Sequence, residues 1–108
     1  MRRPLLILSL VFLAALFSGC TDGRRFSPEA WRQEDQFQRH AFTGDLLGRR
    51  LLIGKGWREV HQMLGPGRTF GRDVSTWNVG LDKETGTPIV LEVDFRDGIA
   101  THATVHRE

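Results

Sequence analysis

Residues 4–17, PLLILSLVFLAALF, are almost wholly apolar, and no other stretch of the chain is so uniform. The run holds 14 residues, short of the ~20 that a spanning helix needs. It has no polar stripe, so it lacks the two-sided pattern of a helix packed on a core. Met1-Arg2-Arg3 places positive charge before it, and Ser18-Gly19 follow it. A basic start, a short apolar run and a small-residue exit predict a cleaved signal peptide over residues 1–19. Residues 20–26 then read as a linker, and residues 27–108 as a single small domain.

Within 27–108 the apolar period changes once. In SPEAWRQEDQFQRHAF, Ser27 suits a helix cap, Pro28 the first helical position and Glu29 the positive end of the helix dipole. Trp31, Phe42 and Leu46 recur at helical spacing, so a first helix is expected to run towards Gly48, with Thr43-Gly44 as its weak point. GWREVHQMLGPG predicts a second helix: Gly56 at its start, Trp57, Val60, Met63 and Leu64 as its apolar face, Gly65 as its stop and Pro66 as a bar to continuation. After Gly67 the period falls to two. VSTWNVG (74–80) predicts a strand with Trp77 and Val79 inward, LDKETGTP (81–88) a polar loop, and IVLEVDF (89–95) and IATHATV (99–105) a hairpin. A three-residue turn at Arg96-Asp97-Gly98 would pair Phe95 with Ile99, Val93 with Thr101, Leu91 with Ala103 and Ile89 with Val105, gathering the stronger apolar residues on one face. The expected fold is α+β, with two N-terminal helices packed on a three-stranded antiparallel meander. Trp31, Trp57 and Trp77 are expected in its core.

Charge changes the picture once the signal is set aside. Removing residues 1–19 takes away Arg2 and Arg3 and no acidic residue, so the 15 basic residues fall to 13 and match the 13 acidic ones. A formally neutral chain gives no basic footprint for nucleic acid. The single cysteine, Cys20, excludes an intrachain disulfide framework and any zinc site built from several thiolates.

Cys20 stands at the boundary between the apolar run and the polar segment. Ordinary signal cleavage before it would put Phe17 at the −3 position, which prefers a small residue. Phe17, Ser18, Gly19 and Cys20 instead resemble a bacterial lipobox, although leucine is usual where Phe17 stands. That resemblance implies a lipid attached to the Cys20 sulfur, which is nucleophilic enough for alkylation. The covalent lipid would be the only non-protein group, with no small-molecule cofactor. Arg24 and Arg25, in the linker, are candidates for contact with anionic headgroups.

A second resemblance spans roughly residues 45–100. Leu52-Ile53-Gly54, Glu59-Val60, Leu64-Gly65-Pro66, Trp77 and Phe95-Arg96-Asp97-Gly98 stand where the SmpA/OmlA, or BamE-like, lipoproteins carry an L-x-G turn, a short helix with E-V, a glycine–proline stop, an aromatic strand and an F-x-x-G strand end. The resemblance implies an αα-βββ domain on a lipid anchor in the bacterial envelope, at the outer membrane and facing the periplasm. It implies a role in protein interaction or assembly, with another envelope protein as partner. The alternative is a periplasmic binding or inhibitor module of the β-lactamase-inhibitor type.

No catalytic or metal-binding residue is predicted. His102 and His106 stand four residues apart on one strand, about 13 Å at ~3.3 Å per residue, too far to share a metal within that strand. His61, on the second predicted helix, has no ligand at i+4. Glu92 and His102 face each other in the expected register and read as a surface pair. No nucleophile elbow or phosphate-binding glycine loop occurs.

Overall fold

The computed structural model describes residues 23–108. The predicted signal 1–19, with Phe17, Ser18 and Gly19, and the expected lipidation site Cys20 lie outside the described residues. Three α-helices, α1 (Pro28–Gln33), α2 (His40–Gly48) and α3 (Trp57–Leu64), precede four strands, β1 (Arg68–Phe70), β2 (Val74–Leu81), β3 (Pro88–Arg96) and β4 (Ile99–Arg107). The strands form one antiparallel sheet in the order β1-β2-β3-β4. The class is α+β as expected, with one more helix and one more strand.

The extra helix arises where an acidic side chain, Asp35, takes a backbone donor. Ser27 caps α1 as predicted, its Oγ accepting from the Ala30 N–H at 3.1 Å. The chain then turns extended at Glu34 (φ −89°, ψ 145°). Asp35 starts a short 3₁₀ turn, Gln36–Gln38, by accepting the Phe37 N–H at 3.1 Å. A local side-chain acceptor offers the backbone an alternative to the helix. The break therefore falls at Glu34-Asp35 rather than at Thr43-Gly44, which lies inside α2. Trp31, Phe42 and Leu46 still share one buried face; they meet across the break through tertiary packing, with the Trp31 and Phe42 rings 6.2 Å apart.

Helix α3 has its predicted ends. Gly56 precedes it in extended conformation, and Gly65 ends it at φ +85°, its N–H donating to the His61 carbonyl. Val60 and Leu64 are buried and Met63 packs against the core. Trp57 departs from the predicted face, because it remains 37 % exposed. The two glycines flanking Pro66 have different tasks. A Cβ on Gly67 would lie 2.5 Å from the Thr76 carbonyl oxygen and 2.8 Å from the Trp77 ring, so Gly67 permits the close approach that lets β1 join the sheet. Strand β1 escaped prediction because Arg68-Thr69-Phe70 is too short to show a period, and all three residues are exposed.

The β3–β4 hairpin corrects the expected turn. Its loop is two residues, Asp97 (φ 53°) and Gly98 (φ 80°), the left-handed pair that matches strand twist. Arg96 pairs with Ile99 and Phe95 with Ala100; beyond an irregularity, Asp94 pairs with His102, Val93 with Ala103, Leu91 with Val105 and Ile89 with Arg107. Thr101 is the extra residue, a bulge that reverses the parity of β4. Ala100 (1 % exposed) therefore faces inward and Ile99 (42 %) outward, while Ala103 and Val105 still pack against the core. The expectation failed because it assigned the parity change to the turn instead of the strand.

The helices cover one face of the sheet. Trp77, Val79, Leu91, Val93, Phe95 and Ala100 meet Phe26, Trp31, Phe42, Leu46, Leu52, Val60 and Leu64 in a single core.

Candidate functional site

Residues 24–26 of the predicted linker are part of the fold. The Arg24 N–H donates to the Ala41 carbonyl at 2.9 Å. Its guanidinium pairs with Glu34 at 2.6 Å and lies 4.4 Å from the centre of the Phe42 ring. Phe26 is buried, and its N–H donates to the Asp45 carboxylate at 2.7 Å. The Arg49 guanidinium and this N–H hold the Asp45 carboxyl down at about 2. The contacts of the domain therefore extend N-terminally of Ser27 to Arg24, because an aromatic at 26 has core surface to cover. Arg24 is engaged within the protein. Arg25 is exposed and close enough to Asp45 to favour its charged form.

Between α3 and the sheet lies a pair that the sequence reading did not bring together. His61 Nε2 and Ser75 Oγ share a hydrogen bond of 2.9 Å. The His61 ring stacks on Trp57, with centroids 3.9 Å apart, and lies 5.0 Å from Trp77. Burial pushes the His61 pKa down, favouring the neutral ring. Ser75 is 0 % exposed, so its hydroxyl cannot reach a substrate from solvent, and the pair satisfies two polar groups at the core margin. The signal for it was legible: Ser75 stands two residues before Trp77, on the same inward parity.

The opposite sheet face carries the acid–histidine contact, with a different partner from the one predicted. Glu92 accepts from His106 Nε2 at 2.9 Å, while His102 stands opposite Asp94. The shorter turn and the β4 bulge each shift β4 by one residue from the expected register, so His102 moves from opposite Glu92 to opposite Asp94 and His106 comes to stand opposite Val90. His106 also donates through Nδ1 to the Arg107 carbonyl at 3.1 Å. Two ring N–H donors require the imidazolium. The Arg107 carbonyl and then Glu92 accordingly raise the His106 pKa, and the His106 hydrogen bond lowers that of Glu92. Burial, reinforced by Glu92, raises that of Asp94. The His106 and Glu92 side chains are 44 % and 30 % exposed, which makes this a solvated ion pair. Among the described residues no group of three or more His, Cys, Asp or Glu is placed to hold a metal ion.

No family model matches the chain, and neither does any curated protein or solved structure. The likeness to the SmpA/OmlA lipoproteins rests on the motifs in the sequence.

Proposed function

We propose that the chain is a lipid-anchored lipoprotein of the bacterial envelope whose domain is a non-catalytic protein-interaction or assembly module of the SmpA/OmlA kind. The observation that carries this reading is FSGC at residues 17–20, placed after a 14-residue apolar run and holding the single cysteine. The start of the fold at Arg24 sharpens it. Only Thr21, Asp22 and Gly23 separate Cys20 from a residue held by the domain. Four residue steps reach at most about 14 Å, so a lipid on Cys20 keeps the domain at the bilayer surface. A partner would have to be another protein of the same membrane or one that approaches it. Thr21 directly after the cysteine, with Asp22 one place later, fits export to the outer membrane. The non-catalytic assignment rests on the buried Ser75 hydroxyl and the solvated Glu92–His106 pair, neither of which presents a nucleophile or a poised base to a substrate.

Intact-mass measurement of the membrane fraction tests the anchor. The expected product begins at Cys20 and carries a lipid; a chain starting elsewhere, or a free Cys20 thiol, rejects the reading. Affinity purification from detergent-solubilised membranes tests the module. Co-purification of a barrel-assembly complex supports assembly, whereas a periplasmic enzyme as the bound protein points to the inhibitor alternative.

A further inference from the structure

The three tryptophans are held in two ways. Trp31 and Trp77 are buried, and their indole N–H groups donate to the carbonyls of Leu64 at 2.8 Å and Gly65 at 2.9 Å. Trp57 has no such partner among the described residues and stays 37 % exposed. His61 stacks on its indole nearly parallel, 21° between planes, and Trp57 also lines a cavity of about 550 Å³. Besides Trp57, the cavity is lined by Gly71, Arg72 and Asp73 from the β1–β2 turn and by Asp97 and Gly98 from the β3–β4 turn. Its size lies within the ~300–1,000 Å³ typical of small-molecule sites.

These walls are tied to one another by the backbone. The Trp57 N–H donates to the Gly98 carbonyl at 2.8 Å, and the Phe95 N–H donates to the Asp73 carbonyl at 2.7 Å. Both turns and the first residue of α3 are therefore fixed relative to the sheet, so the backbone frame of the cleft is formed before a ligand arrives. The chemistry of the walls restricts what fits. An indole face takes an apolar surface. Asp73 and Asp97 accept hydrogen bonds, and Arg72 donates them. A cation would gain from the indole and the carboxylates but meet Arg72; an anion would gain from Arg72 but meet two carboxylates. A neutral ring with a C–H face and a rim of hydroxyls answers every wall, since each hydroxyl both donates and accepts. We propose that this cleft is a saccharide-binding site, with Trp57 as the platform under a neutral pyranose ring and Arg72, Asp73 and Asp97 holding its hydroxyls. The inference is independent of the lipid anchor.

The full chain, purified in a polyoxyethylene detergent that has no sugar headgroup, can be titrated with cellotetraose and with maltotetraose. The readouts are calorimetry and the indole N–H resonances. Saturable binding to at least one of the two is expected, with the Trp57 indole resonance moving and those of Trp31 and Trp77 staying in place. Trp57→Ala should weaken binding about tenfold or more. Asp97→Asn should weaken it several-fold while keeping the turn, because asparagine tolerates the left-handed backbone there. Arg72→Gln should also weaken it, and Glu92→Gln, on the outer sheet face, should leave it unchanged. If Trp57→Ala fails to fold, Asp97→Asn and Arg72→Gln decide. The inference is overturned by an absence of saturable binding to both oligosaccharides, by binding indifferent to the cleft variants that fold, or by tetramethylammonium binding the cleft in place of either sugar.

Discussion

His61 and His106 lie against opposite faces of the same sheet, each within 2.9 Å of one side-chain oxygen. On the helix-covered face His61 meets a fully buried hydroxyl, and burial lowers its pKa. On the outer face His106 donates from both ring nitrogens, and its pKa is raised by the Arg107 carbonyl and Glu92. The same side chain is thus shifted towards its neutral form on one face of the sheet and towards its charged form on the other. The difference is one of solvent: the inner pair is a packing element that must be satisfied, and the outer pair is an ion pair that water already solvates. Substitutions should therefore be costly on the first face and mild on the second.

The largest expected effect sharpens that contrast at β3, where Leu91 and Glu92 are adjacent and point to opposite faces. Leu91 is 0 % exposed, and Leu91→Ala should cost about 2–5 kcal/mol in chemical denaturation, through lost burial and the cavity left behind. A mild Leu91→Ala would mean that the inner face is not the core.

Ser75→Ala should cost about 1–3 kcal/mol, because it removes the partner of a ring nitrogen at a site with little water. The same site carries a pH signature. The folded pKa of His61 lies below its ordinary value of 6.5, so the unfolded chain takes up the proton first as pH falls. Stability from this group is complete above about 6.5 and declines as pH drops towards the folded value. His61→Gln should flatten that part of the stability–pH curve, and a curve unchanged by the substitution would reject the assignment.

Asp45 should act in a lower window. Its pKa is about 2 in the fold against an ordinary 3.8. Its contribution is present above roughly 4 and is lost as pH falls through 2. Asp45→Asn should remove that acid-dependent loss and loosen the Phe26 segment, which amide hydrogen exchange at Phe26 would report.

The smallest effects belong to the outer face. Glu92→Gln, His106→Gln and His102→Gln should each change stability by less than ~1 kcal/mol, as expected of exposed pairs. Any contribution from the His106 imidazolium is complete below pH 6.5 and fades as pH rises through its elevated folded pKa. A severe Glu92→Gln alongside a harmless Ser75→Ala would reverse the comparison of the two faces.

Much of the fold was legible where a residue's local preference and its burial agree. Gly56, the Val60–Leu64 stripe and Gly65 bound α3 by capping and periodicity, and no distant contact was needed to place its ends. The alternation of Leu91, Val93 and Phe95 with Glu92 and Asp94 assigns the two faces of β3, although Val90, in the outer set, is buried as well at 4 % exposed. Trp77 and Val79 face inward by the same rule. The candidate cleft was less legible: Trp57 has the spacing of a core residue, and nothing local reveals that it stays 37 % exposed.

What the sequence by itself determined was the α+β class, the bounds of α3, the three longer strands and the inward set of β2 and β3. These follow from interactions a few residues apart, or from a period that each segment carries alone. Only the tertiary structure decided the entry of Arg24 and Phe26 into the fold, the strand at Arg68–Phe70, the bulge at Thr101 and the exchange of His102 for His106 beside Glu92. Each depends on a partner far along the chain. Phe26 joins the core because Asp45 receives its N–H, and β1 exists because Gly67 lets the backbone pass close to Trp77. The two-residue turn holds because one extra residue, Thr101, returns Ala103 and Val105 to the core face. Local propensity is written in neighbouring residues, whereas parity, register and closure are settled by the surface each segment meets when the chain folds back on itself.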